Sequence, residues 1–244
     1  MRTHTHLLSA LLLGIPAVMN MAVAQESAAP IAWSHSYSGS CADCALAGRN
    51  LAGWDLSDAN YGGADLAGAT LRQVTAHSAN FAGAIAVGAD FRNGDFSSAS
   101  FREAQLAGAR FDRATLLGCD FAAANLSAGR LVGAVLIGSN FESTQLPRLL
   151  ASGADFSGAS LISANLSGAD LRATRFDNAV LTGANLSGAD VTLASFRDSR
   201  LPGADLSDIV GAETAGFDGA CGDEDTKLPA GLILPPCPGS DPAP

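Results

Sequence analysis

Ala164-Asn165-Leu166-Ser167-Gly168, followed at once by Ala169-Asp170-Leu171, is a five-residue phrase that starts again as soon as it ends. Read in that register, the chain from Cys44 to Asp208 forms 33 consecutive pentapeptides without a slip, with centres at 46, 51, 56 and onward to 206. The centre is Leu, Phe, Tyr or Val at all but three places, Ala76, Ala86 and Ala151. Two residues earlier stands a small residue, which is Ala at 21 of the 33 positions. Asn or Asp commonly precedes the centre, and Gly commonly follows two residues after it.

The period of five decides the fold class. On an α-helix, five residues advance about 500°, so the centres would spiral around the axis. On one straight strand, alternate centres would fall on opposite faces. A continuous buried row needs a backbone that turns about once per five residues and sends every centre toward one axis. Gly after the centre suits such corners, where positive φ is often required.

The aromatic centres set the number of fives per coil. Seven pairs of them stand four pentapeptides apart, more than stand one, two, three or five apart. Tyr61, Phe81, Phe101, Phe121 and Phe141 form one predicted core ladder, and Phe156, Phe176 and Phe196 another. Four pentapeptides per coil therefore stack ring on ring. At roughly 4.8 Å per stacked strand, about eight coils make a rod near 40 Å long. Large apolar residues are rationed, as a thin core repeated many times requires.

These residues resemble the pentapeptide-repeat proteins, with their signature of Ala, Asp or Asn, Leu and two variable positions. The resemblance implies an all-β, right-handed quadrilateral β-helix, with the centre and the small residue turned inward. It implies no shared catalytic residues. The departures carry local expectations. Val74 with Ala76, and Leu149 with Ala151, exchange large and small and roughly conserve interior volume. Pro147 predicts a bulge beside the second exchange. Arg49 and Trp54 stand at inward small positions and predict an irregular first coil. Cys119 reads as a small buried hydrophobe.

Around the repeat the chain divides into four parts. Residues 1–24 read as a secretory signal peptide, with Arg2, an apolar run and Ala22-Val23-Ala24 as the cleavage site. Residues 25–43 form a polar lead-in, 44–208 the solenoid, and 209–244 a C-terminal cap with a loose Pro-rich tail. Export predicts a periplasmic or secreted bacterial protein whose mature chain does not insert in the membrane. Cys41 and Cys44 form a C-x-x-C, for which a disulfide, a metal half-site and a redox pair are alternatives. An oxidising compartment favours the disulfide. Cys221 and Cys237 are the second disulfide candidates, stapling a cover over the open end of the coil.

The formal charge is −10, and −11 without Arg2. Such acidity disfavours direct binding to nucleic acid or anionic lipid. No Ser/His/Asp set or carboxylate pair stands out from the repeat, and the nine Asp that precede centres are scattered over different sides. The expectation is therefore a non-enzyme without metal or cofactor. Its candidate interaction surface is a set of apolar residues at outward positions: Leu117, Val132, Val135, Ile137, Leu150 and Ile162. Arg72, Arg92, Arg110 and Arg130, with Arg172 further along, form a basic patch. The function these features favour is a structural or protein-interaction module acting on an unknown protein partner or on itself. The alternatives are an acidic DNA mimic that binds a type II topoisomerase (DNA gyrase), as some members of the resembled family do, and an envelope adhesion module.

Overall fold

The computed structural model describes residues 41–238, all within one compact unit, Ser34–Pro244. The expected signal peptide, all but the end of the lead-in, and the last residues of the tail lie outside the described residues.

The backbone turns a corner at every fifth position. Each fifth residue from Asp43 to Asp208 has positive φ, and eighteen of them are not glycine. This residue is the third of a four-residue turn closed by a hydrogen bond such as Arg49 N–H to Leu46 O, 3.0 Å. Positive φ there is the signature of a type II turn.

Between corners the chain pairs in parallel with the segment four pentapeptides on: Ala45 with Asp65, Asp65 with Ile85, and so on without a break to Asp190 with Val210. Each centre donates forward, as Leu46 N–H does to Asp65 O at 2.7 Å, and so does the corner residue Gly48, to Ala67 O at 2.8 Å. The residue before the centre donates backward, as Asp65 N–H does to Cys44 O at 2.9 Å. We number the four sides by their outward residues. The first runs Ala45, Asp65, Ile85 to Asp205, the second Asn50, Thr70, Asp90 to Val210, the third Asp55, Thr75, Asp95 to Ser195, and the fourth Asn60, Asn80, Ser100 to Arg200.

Along the middle of the ladder, the residue just after each centre is the one whose N–H lies outside these ladder and turn bonds. Asn and Asp supply its partner: Asp55 accepts from Ser57 N–H and Asn50 from Ala52 N–H, each at 3.0 Å. All nine Asp that precede centres do the same, from Asp55 to Asp205. The preference is therefore a local side-chain cap on the corner, the Asx-turn.

Centres and small residues fill the interior. Tyr61, Phe81, Phe101, Phe121 and Phe141 are buried and stacked, with centroids 4.8–5.4 Å apart and planes within 11°. Phe141 meets Phe156 edge-on at 5.4 Å, and a second stack continues through Phe176 and Phe196. Buried hydroxyls at small positions close onto the coil before them. Ser139 donates to Leu116 O at 2.6 Å, Thr144 to Phe121 O at 2.8 Å and Thr174 to Ala151 O at 2.9 Å.

Three expectations are corrected. The first coil is regular: Asn50 pairs with Thr70 and Asp55 with Thr75, while Trp54 is buried and Arg49 turns out to solvent. Near the start of the described ladder the interior has room for an indole. No bulge forms at Pro147. Gln145 and Leu150 keep their partners on both sides, because Pro147 sits at the one position whose N–H the ladder does not use. Finally, the ladder does not stop at Asp208. Val210 pairs with Asp190, Gly216 with Ser195, Cys221 with Arg200 and Lys227 with Asp205. The offset between partners grows from 20 to 21 and then to 22 because extra residues are inserted at the corners. Phe217 lies flat on Phe196, 4.9 Å away with planes within 1°, and extends the second stack.

Candidate functional site

A filled interior leaves chemistry to the outside. His77 Nε2 lies 3.0 Å from Asp95 Oδ2 on the third side, and Ser97 Oγ donates to Asp95 Oδ1 at 2.6 Å. The carboxylate thus sits between the other two groups. Nucleophilic catalysis needs the imidazole in the middle, bonded to the hydroxyl it activates. This trio is a polar tie between coils. Among the described residues, no group of His, Cys, Asp and Glu is arranged to hold a metal ion, and no helix is long and apolar enough to cross a membrane.

The four paired cysteines lie at the two ends of the described ladder. Cys41 and Cys44 are joined by a disulfide, as are Cys221 and Cys237. The second disulfide pins the final segment, where Gly222 N–H donates to Pro235 O and Cys237 N–H to Gly222 O. Cys119 is the one free thiol among the described residues, buried under the fourth-side corner, and burial pushes its pKa up to about 12.

The structure divides the apolar set. Leu117 and Ile137 occupy the same position of the third side one coil apart and are 40% and 44% exposed. Val135 precedes Ile137 on that side. Val132 and Leu150 lie on the adjoining second side, Leu150 being 37% exposed. Ile162 follows Ser160 on the fourth side, away from the others. The five remaining residues therefore straddle one edge. A further exposed pair, Ile85 and Val87, stands on the first side and was not singled out in the sequence. Its signal was two apolar residues flanking Ala86.

The arginines converge more tightly. Arg72, Arg92, Arg110, Arg113 and Arg130 line a cleft of about 290 Å³ on the second side, with Asn93, Asp112 and Val132. Arg92 grips Asp90 through both carboxylate oxygens, at 2.8 and 2.6 Å. That hydrogen-bonded grip holds the Asp90 carboxyl below its usual range, partly opposed by burial. Arg130 Nε donates to Asp112 at 3.1 Å. Arg113 was missed in the sequence because it occupies a corner, where Gly is usual. Arg172, in contrast, stands apart and pairs with Asp170.

Comparison with known proteins agrees with this architecture. The family described as pentapeptide repeats matches in eight copies, over residues 50–85, 86–118, 114–148, 150–178 and 174–210. The chain belongs to the pentapeptide-repeat family. Among solved structures it is similar to two trypsin-treated forms of QnrB1, a plasmid-mediated fluoroquinolone resistance protein. These are 20% and 19% identical, each with a TM-score of 0.52. Both matches cover 78% of this chain, and 92% and 91% of the other. It is also similar to HetL, a pentapeptide repeat protein involved in heterocyst differentiation regulation from the cyanobacterium Nostoc sp. strain PCC 7120. That match is 29% identical, covers 74% of this chain and 92% of HetL, and has a TM-score of 0.27. No curated protein matches the chain. The family and the QnrB1 likeness imply a right-handed quadrilateral β-helix.

Proposed function

We propose that this protein is an exported, non-enzymatic β-solenoid of about eight coils that works by presenting its outer surface to a protein partner. Pentapeptide-repeat proteins are in general structural or interaction modules. The observation that carries the reading is the exposed pair Leu117 and Ile137. Their column holds Ser97 and Ser157 in the neighbouring coils and Ser57 further back, so large apolar side chains are not a requirement of the fold there. Val135 lies on the same side, and Val132 and Leu150 on the adjoining one, so that apolar residues cluster about that edge, as they often do at contact sites on soluble proteins. The partner is a second copy of the chain or another protein. We place it in the periplasm or outside the cell, supported by the leader-like residues 1–24 and by two disulfides in one chain.

Light scattering on the mature chain, with and without Ile137→Asp, tests self-association, and a pull-down from the envelope fraction with the same pair of proteins tests a foreign partner. The reading predicts that the substitution abolishes one of the two associations while leaving circular dichroism unchanged. A chain that is monomeric and captures the same proteins with or without the substitution would refute it. An adhesion role differs only in the partner captured. The gyrase-binding DNA-mimic reading has weaker support, since five clustered arginines interrupt the acidic surface such mimicry needs. A supercoiling assay, run with and without a fluoroquinolone, decides it, and we expect no effect.

A further inference from the structure

We propose that the arginine cleft of the second side binds a phosphoryl dianion, as free phosphate or as a phosphomonoester. Five arginines open onto one cleft in a chain whose formal charge is −10. They come from successive coils. Arg72 and Arg92 follow centres one coil apart, Arg110 pairs with Arg130 in the next coil, and Arg113 turns the corner after Phe111.

Elsewhere among the described residues, arginines that form ion pairs each have a carboxylate to themselves, and Arg49, Arg148, Arg197 and Arg200, which form none, do not share a cleft with other arginines. Arg172 reaches Asp170 and Asp190, and Arg175 reaches Asp155 and Asp177. Here the ratio is inverted, because only Asp90 and Asp112 serve five guanidiniums. Arg92 occupies both oxygens of Asp90. Asp112 accepts from Arg130 Nε and, at 3.3 Å, from Val132 N–H. The remaining three arginines are not held by hydrogen bonds to either. Arg72 stands 4.0 Å from Asp90 and Arg110 stands 3.7 Å from Asp112, both beyond hydrogen-bonding distance. Arg110 Nε is buried with no hydrogen-bond partner, and Arg113 forms no ion pair among the described residues.

Three guanidiniums with unused donors and a surplus of positive charge therefore line one opening. A surplus held this closely repels itself and is relieved by a multiply charged anion. A carboxylate brings one charge and fits one fork. A phosphoryl group brings up to two charges and three strong acceptor oxygens, matching three forks at once. Asn93 adds an amide at the rim. The site lies beside the apolar edge but does not depend on it.

Calorimetric titration of the full chain at fixed ionic strength provides the test, with inorganic phosphate, glycerol phosphate, acetate and a glutamate-rich peptide as probes. Saturable binding of phosphate or glycerol phosphate is expected, with acetate and the peptide at least tenfold weaker. Tighter binding of the ester identifies an esterified source, and tighter binding of inorganic phosphate a free one. Arg113→Gln, at an exposed corner, weakens binding at least tenfold without changing the unfolding midpoint, whereas Arg172→Gln leaves binding unchanged. Absence of saturable binding, equal binding by Arg113→Gln, or acetate or peptide binding as tightly as phosphate would overturn the proposal.

Discussion

Phe121→Ala removes an internal ring from the longer aromatic stack. Phe121 is completely buried, with Phe101 flat against one face and Phe141 against the other, both at 4.8 Å. Phe111 meets it edge-on at 5.9 Å. Truncating a buried Phe costs about 3–5 kcal/mol. Stacked and edge-on pairs each add ~0.5–1.5 kcal/mol beyond area burial, which puts this residue in the upper half of the range. Neighbouring coils are rigidly laddered on both sides, so the space left behind has little means of collapse. The expected loss is about 4–5 kcal/mol. Phe217 is the internal control, since it is only half-buried and has one stacked neighbour, Phe196. Its truncation is expected to cost about half as much. Urea unfolding followed by circular dichroism and by tryptophan fluorescence, with disulfides intact, measures both. The two probes must coincide for a single free energy to apply, because stacked repeats can unfold in segments. A loss below about 2 kcal/mol for Phe121→Ala, or one equal to that of Phe217→Ala, would mean that stacking does not hold the coils together.

Leu193 occupies a corner at φ 60° and is 67% exposed. A left-handed L-residue costs ~1–2 kcal/mol, only partly offset by the greater chain entropy glycine loses, so Leu193→Gly should raise the thermal midpoint modestly. A lowered midpoint would show that Leu193 makes a stabilising contact. The buried Cys119 thiol, its pKa pushed up to about 12 and its Sγ donating to Phe96 O at 3.0 Å, should resist a thiol reagent at pH 8 until the central coils open. Labelling at the rate of an exposed thiol in the folded protein would contradict its placement. The Asp205 carboxyl is held down to about 2, chiefly by the hydrogen bond from Lys227 Nζ at 2.8 Å and next by Ser207. Because the folded value lies below the unfolded one of about 4, the contribution is complete above that pH and is lost as pH falls toward 2. Solvent screening of the exposed Lys227 keeps the contribution small. Lys227→Met should flatten the acid limb of stability over that window, and an unchanged limb would refute the pair's role.

The interior was legible in the sequence because packing leaves its positions little choice. In nearly every pentapeptide the inward centre is large and its neighbour two residues earlier small, and the spacing of Phe81, Phe101 and Phe121 carried the coil length as well. The end of the ladder was not legible because a fixed register cannot follow an inserted residue. Phe217 stands one position beyond four full pentapeptides from Phe196, so a count in fives passes over it even though the ring lies flat on the stack. The expected irregularity around Arg49, Trp54 and Pro147 came from judging side chains without the backbone ladder, which tolerates all three. The surface was legible only in part. Outward residues answer to no packing rule, so Ile162 could be grouped with Leu117 although they lie on different sides, and Arg113 could be left out of a cluster it completes.

The offset of four pentapeptides between paired positions also governs how such a chain can change length. Removing residues 161–180 would join Ser160 to Leu181, restore every side to its own column, and set Phe196 directly on Phe156. Removing a single pentapeptide would keep every centre inward but rotate all that follows by a quarter turn, parting the stacked rings and scattering each surface cluster over new sides. Duplication and loss in units of one full coil are thus nearly silent for the core, while any other multiple of five rewrites the outside. For a protein that works through its surface, the coil and not the pentapeptide is the unit in which length can vary without loss of identity.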